Sequence, residues 1–274
     1  MDRRSFLGTV TAASLLAKRL SWAAERKIEK VGVQLYTVRD QMKQDFSGTI
    51  AKVAKIGYRE VEFAGYFDQS PPAVKQVLSD NGLTAPSAHV PYAQLTTKLP
   101  EVIEAAKTIG HEYIVCPFIV EEMRSGEDNW KKIAAALDAA GAETQRAGIQ
   151  LAYHNHNFEF VPTEGKLPYD ILLGNSDPTL VKMEMDLYWI TKAGQDPMKY
   201  WNLYPGRFPL VHVKGMDKAG NFTEVGHDVI DWKNLFSHSE KAGIKHYFVE
   251  QDKSNDPFAS IQKSYAYLRD LRFS

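Results

Sequence analysis

A single cysteine, Cys116, stands in 274 residues, so no intramolecular disulfide can form and the fold must be held by its core. There is no surplus of basic charge either. Lys and Arg number 33 against 34 Asp and Glu, a net charge of −1. Without a cationic face or arm, nucleic acid is not the expected partner, and a neutral small molecule fits better. No apolar run is long enough to span a bilayer, so stable membrane insertion is not expected. No glycine-rich loop follows the first apolar run, which removes the usual signature of dinucleotide and phosphate cradles. What remains has the make-up of an ordinary globular chain, 44% hydrophobic and 24% charged.

The first 26 residues read differently from the rest. Arg3 and Arg4 precede Ser5, Phe6 and Leu7, a mildly apolar run extends from Leu7 to Ala17, and small residues follow at Ala23 and Ala24. The pattern resembles a twin-arginine export signal and implies a periplasmic protein. Residues 1–26 are therefore assigned to the signal and 27–274 to one domain.

From Glu29 onward, short apolar runs alternate with helical patterns. The predicted strands cover residues 30–39, 58–64, 84–91, 112–119, 149–156, 180–189, 208–215 and 245–251. Amphipathic segments such as "FSGTIAKVAKIG" and "NWKKIAAALDAAGAETQRAG" lie between them, several closed by glycine: Gly57, Gly82, Gly110, Gly148 and Gly243. Eight strand-helix units in a chain of this length predict a single (β/α)8 TIM barrel of the α/β class.

A barrel carries its chemistry at the C-terminal ends of its strands. The polar residues there are Glu62, His89, His154 with His156, Glu184 with Asp186, His212 with Lys214, and Glu250. A two-residue period keeps each pair on one face. Asp186, His212 and Glu250 end three successive strands, so a barrel brings them together. Two carboxylates and an imidazole suit a divalent ion such as Mn, Mg, Co or Zn. Lys214 could hydrogen-bond a sugar hydroxyl or stabilise an enolate, or be a solvated strand-end lysine. Glu62, His89 and His156 are candidate substrate contacts. Trp189, with Tyr36, Phe63 and Tyr188, is a candidate stacking wall.

At these residues a resemblance appears. "VGVQLYTVRD", "YREVEFAG", "YHNHNFEF", "MEMDLYW", "HVKGM" and "YFVEQD" together resemble the xylose isomerase-like barrel superfamily over residues 29–272. The superfamily includes sugar isomerases, ketose 3-epimerases, inosose dehydratases and DNA-repair endonucleases. The resemblance implies a metal held by Glu, Asp, His and Glu from strands five to eight. Asp186, His212 and Glu250 match three of these, but Ala152 stands where the strand-five glutamate belongs. His154 is the preferred replacement ligand, with Glu159 and Glu184 as alternatives.

The resemblance also implies proton transfer through a metal-stabilised enediolate. Glu250 would act on one face of a sugar or keto-sugar, and Glu159, His154 or Glu184 on the other. His227, in the loop "EVGHDVIDW", is a candidate lid residue. Isomerisation or epimerisation is the first expectation. A lyase or dehydratase acting on a keto-sugar, keto-glycoside or inosose is the second, since one-sided proton removal suits elimination. A barrel that only binds carbohydrate is the third. The endonuclease pattern wants a histidine three residues after the strand-six aspartate, where this chain has Trp189.

Overall fold

β-branched, aromatic and small residues concentrate in eight short runs, each too short to bury itself and each followed by an amphipathic segment that can cover it. In the computed structural model, which describes residues 25–274, the runs form β1 (Val31–Gln34), β2 (Glu60–Phe63), β3 (Thr84–His89), β4 (Tyr113–Cys116), β5 (Gln150–His154), β6 (Val181–Asp186), β7 (Leu210–Val213) and β8 (His246–Val249). Each pairs in parallel with the next, and β8 closes on β1 through the register Val31↔Tyr247 and Val33↔Val249. This is the expected (β/α)8 barrel. The export-signal assignment lies outside the described residues except for Glu25 and Arg26. Arg26 pairs antiparallel with Phe273, and its guanidinium meets Glu240 at 2.6 Å.

Alternation divides the strand residues into two sets. Val33, Val61, Ile114, Leu151, Tyr153, Met183, Val211 and Val249 are buried in the main core, with helix residues such as Ile50, Val53, Leu78, Ile133 and Leu137. Each such side chain contributes about 1.5–3 kcal/mol of burial. The other set faces the barrel axis, where Tyr113, Val115, Ala152, Leu210 and Phe248 make a small separate apolar layer. Gly32 belongs to this layer by necessity, because a Cβ there would lie 2.5 Å from the ring of Phe248. Above the layer, toward the C-terminal ends of the strands, the interior turns polar.

Several predicted strands are longer than the observed ones, and the side chains show why. The run 30–39 ends as a strand at Gln34, whose side chain accepts from the Tyr36 amide and starts a 3-10 turn over Leu35–Val38. The run 180–189 ends at Asp186, the N-cap of the helix Leu187–Lys192, whose Oδ1 accepts from the Trp189 amide at 2.8 Å. Capping by polar side chains thus ends the strands where the site begins. The five glycines expected to close helices all have positive φ. After β7 a short hairpin, Gly215–Met216 with Phe222–Thr223, folds back beside the mouth.

Candidate active site at the barrel mouth

The upper layer of the barrel is a network of carboxylates and imidazoles. Glu62 is wholly buried; its Oε1 accepts from Ser87 Oγ at 2.5 Å and its Oε2 accepts from Gln34 Nε2 at 2.8 Å. The same Oε2 meets His212 Nε2 at 2.7 Å and His89 Nε2 at 3.2 Å. Glu184 Oε2 meets His89 Nε2 at 2.7 Å, His154 Nδ1 at 3.1 Å and His212 Nε2 at 3.2 Å. Burial opposes charge on His89, but Glu62 and Glu184 outweigh it and push the imidazole up to about 9. His212 is also raised well above its ordinary range, as Glu184 and Glu250 overcome its burial. His154 goes the other way: burial, aided by the neighbouring His212, keeps it neutral.

One step nearer the mouth lies a buried ammonium. Lys214 Nζ is 2.9 Å from Asp186 Oδ2, 2.7 Å from Glu250 Oε2 and 3.0 Å from Asp252 Oδ1. Although burial works against it, the three carboxylates hold its pKa well above the lysine range. Glu250 stays ionised despite burial because Lys214 and His212 flank it, the latter at 2.9 Å through Nδ1. Asp252 is pushed up to about 6 by burial and by Glu250.

His89, His154, Lys214, Glu250 and Asp252 from these groups reach a cavity of about 810 Å³. His156 adds to its polar lining, with Arg39, Gln94 and Lys253 farther out, and Tyr36, Tyr66, Phe118, Trp189 and Phe222 form its aromatic walls. Trp189 Nε1 and His156 Nδ1 are buried and have no hydrogen-bond partner among the described residues. Such orphaned groups ask for a ligand's polar atoms. A largely apolar cleft with a few convergent polar groups is the usual form of a small-molecule site.

The donor set fits a divalent cation. Asp186, His212 and Glu250 present ligand atoms that converge within 4.8 Å of one another. His212 Nδ1 is 3.8 Å from Asp186 Oδ2, and His154 Nε2 is 3.9 Å from the same oxygen. Ligands about 2.1 Å from a common ion are spaced by about 3–4 Å, so a small adjustment suffices. Asp186 Oδ2 accepts no well-directed hydrogen bond, although the Lys214 ammonium lies 2.9 Å away. A second convergent group, His89, His154, Glu184 and His212, is already knitted together by hydrogen bonds and is suited to orienting ligands.

Most residues anticipated from the sequence meet here, but five take other places. Phe63 packs in the main core and Tyr188 is buried with its hydroxyl donating to Gly220 O at 2.9 Å, so neither walls the cavity. Glu159 was a candidate base; instead it is buried behind the strand-five loop, where its oxygens accept from Tyr153 OH at 2.6 Å and from the His156 amide at 2.8 Å. Burial pushes its carboxyl up to about 7, and its part is to fix the loop that presents His156. Glu62 does not line the cavity and lies beneath His89 and His212 as a positioning group. His227 is exposed in a separate groove beside Lys263, Tyr267 and Asp270. Its loop is turned there by Asp228, which accepts from Gly226 N, Ile230 N and Trp232 Nε1. Gln34, Ser87 and Asp252 were missed. Each falls two residues from a recognised site position or at a strand end, so the alternation that found the others could have found them.

The sequence profile described as xylose isomerase-like TIM barrel matches residues 50–271. An inosose dehydratase of Lacticaseibacillus casei is 25% identical over 269 residues, covering 81% of this chain and 88% of its own. A solved structure named a sugar phosphate isomerase/epimerase, from Parabacteroides distasonis, superposes with a TM-score of 0.74 at 29% identity over 88% of this chain and 93% of its own. The IOLI protein, solved with a binding zinc atom, shares the fold with a TM-score of 0.69 at 15% identity, over 86% of this chain and 95% of its own. With four-fifths of its length matched by relatives and by the family profile, and with the barrel and its polar mouth in place, the chain belongs to the xylose isomerase-like TIM barrel family.

Proposed function

We propose that this protein is a divalent-metal-dependent lyase or dehydratase that acts on a keto-sugar, keto-glycoside or keto-cyclitol. The observation that carries the reading is His154, an imidazole that strand β5 presents 3.9 Å from Asp186 Oδ2 where a carboxylate would complete the pair, while Ala152 one step below lies in the apolar layer with Leu210 and Phe248. Carboxylate chemistry is then left to one side of the cavity, at Glu250, and one-sided proton removal suits elimination. The inosose dehydratases among the relatives support the same choice.

In this reading Glu250 accepts the proton from the carbon next to the substrate carbonyl, and the electron pair shifts onto the carbonyl oxygen. The Lys214 ammonium, which lines the cavity, stabilises that oxygen. As the pair returns to form the carbon–carbon double bond, the β-oxygen substituent leaves and takes a proton from the His89 imidazolium. The products are an unsaturated ketone and water or an alcohol. His154, Asp186, His212 and Glu250 would hold the divalent ion, which supplies Lewis-acid stabilisation of developing negative charge. Trp189 Nε1 and His156 Nδ1 are available to bind hydroxyls.

Epimerisation is the second reading, favoured by the neutral imidazoles His154 and His156 on the strand-five side of the cavity, where a proton can be accepted. Incubation of keto-sugars and inososes with Mn²⁺-loaded protein in D₂O separates the two. NMR is expected to show an unsaturated product. Isomeric products carrying deuterium at the reacting carbon would replace the first reading with the second, and neither product across a broad panel would remove both.

We also propose export to the periplasm, supported by Arg3, Arg4 and the apolar run after them. A shortened periplasmic form is expected, and replacement of both arginines by lysine should retain the precursor inside the cell. The absence of a glycine-rich phosphate loop supports an unphosphorylated substrate.

A further inference from the structure

Lys214 Nζ holds the very oxygens that a divalent ion would use. It lies 2.9 Å from Asp186 Oδ2 and 2.7 Å from Glu250 Oε2, and a cation at these atoms cannot share them with the ammonium without strong repulsion. Its third partner is different in kind. Asp252 lies beyond β8 in the cavity wall, its side chain 21% exposed, and it belongs to neither convergent ligand group. On the same side, Nζ is 5.5 Å from the Trp189 ring centre and 5.7 Å from that of Phe222, faces that attract a cation. The flexible four-carbon stem of lysine allows a short swing of the charge while the backbone stays fixed.

We propose that Lys214 is a tethered stand-in cation. It neutralises Asp186 and Glu250 when the site holds no metal, and gives them up to an incoming divalent ion by withdrawing onto Asp252 and the Trp189–Phe222 wall. The withdrawn ammonium then faces the cavity, so ion loading also delivers the group that meets the substrate oxygen. The inference rests on the divalent-ion reading above, and it makes Lys214 an antagonist of metal binding and Asp252 an ally.

The test is a calorimetric Mn²⁺ titration of wild type, Lys214→Met, Asp252→Asn and the double variant, with Mn²⁺ electron paramagnetic resonance as a second readout and Lys214→Gln as a variant that keeps a polar side chain. Lys214→Met and Lys214→Gln are expected to bind Mn²⁺ at least tenfold more tightly than wild type. Asp252→Asn is expected to bind several-fold more weakly, and the double variant to match Lys214→Met within about twofold, because Asp252 acts through the lysine. In EDTA, Lys214→Met should melt below wild type, with the gap closing when Mn²⁺ is added. Unchanged or weaker Mn²⁺ affinity in both lysine variants overturns the proposal. A loss from Asp252→Asn that persists in the Lys214→Met background overturns the withdrawal step. No Mn²⁺ binding by wild type or variants overturns the divalent-ion reading itself, and the proposal with it.

Discussion

Glu184 Oε2 meets His154 Nδ1 at 3.1 Å, and this contact turns Nε2 of the same ring toward Asp186 Oδ2, 3.9 Å away. Glu184 is held ionised, down to about 2, because His212 and His89 outweigh both its burial and the repulsion of Glu62. An ionised acceptor selects the tautomer with hydrogen on Nδ1 and leaves a lone pair on Nε2, the form a metal ligand needs. A carboxylate one layer down thus decides what the histidine above it can bind.

Glu184→Ala is therefore expected to weaken divalent-ion binding by about 10–100-fold, the usual cost of losing a group that orients a ligand. It should also destabilise the fold by about 3 kcal/mol, because the partners of a buried charge are left uncompensated. Ion titration and urea unfolding measure the two effects. Undiminished affinity would show that His154 needs no such partner.

Asp186 has two duties that substitution can separate. Oδ1 caps the Leu187–Lys192 helix through the Trp189 amide, while Oδ2 faces His212, His154 and Lys214. Asp186→Ala should abolish stoichiometric ion binding and cost about 1 kcal/mol from the lost cap, whereas Asp186→Asn should keep the cap and still lose the ion. His212→Ala should lose it as well. Full metal occupancy in Asp186→Ala or His212→Ala would sink the proposed ligand set.

Much of this arrangement was legible in the sequence because a barrel translates period into place. The strand runs and their two-residue alternation bring His154, Asp186, His212, Lys214 and Glu250 to one mouth. Depth was legible within a strand, where Glu184 falls one step below Asp186, but not between strands: Glu62 obeys the same alternation and still lies below the cavity. Loop residues escaped altogether: Glu159 and His227 are oriented by Tyr153 and Asp228, contacts that no periodicity encodes. Strand ends were overrun wherever a polar side chain capped the next turn, as at Gln34 and Asp186.

His89 should give the fold an alkaline limit. Its imidazole is pushed up to about 9 against an unfolded value of about 6.5, because Glu62 and Glu184 overcome its burial. A pKa raised on folding contributes stability that is complete below pH 6.5 and is lost as pH rises through 9, up to about 3 kcal/mol. His89→Gln is expected to flatten unfolding free energy between about pH 6.5 and 9 while lowering it at pH 6. Lys214, raised above the lysine range, acts at higher pH, whereas His212, also raised by its carboxylates, keeps a share of the slope in the variant. An unchanged slope in the variant would assign the alkaline loss to another group.

Ala152→Glu tests the apolar layer beneath the proposed ligand cluster. Ala152 is fully buried among Tyr113, Val115, Leu210 and Phe248, below the polar ring. A carboxyl forced into that layer folds in its neutral form, so its pKa rises and stability should be lost as pH increases. Without metal, the variant is expected to be less stable than wild type by about 3 kcal/mol or more at pH 8, and by less at pH 5. Ala152→Gln, equal in size but unable to ionise, should be destabilised to a similar degree at both values. Chemical unfolding of the three proteins in EDTA reads the difference. Wild-type stability of Ala152→Glu at pH 8 would mean that this position opens to the mouth, and the placement of an apolar layer beneath the ligand cluster would fall with it.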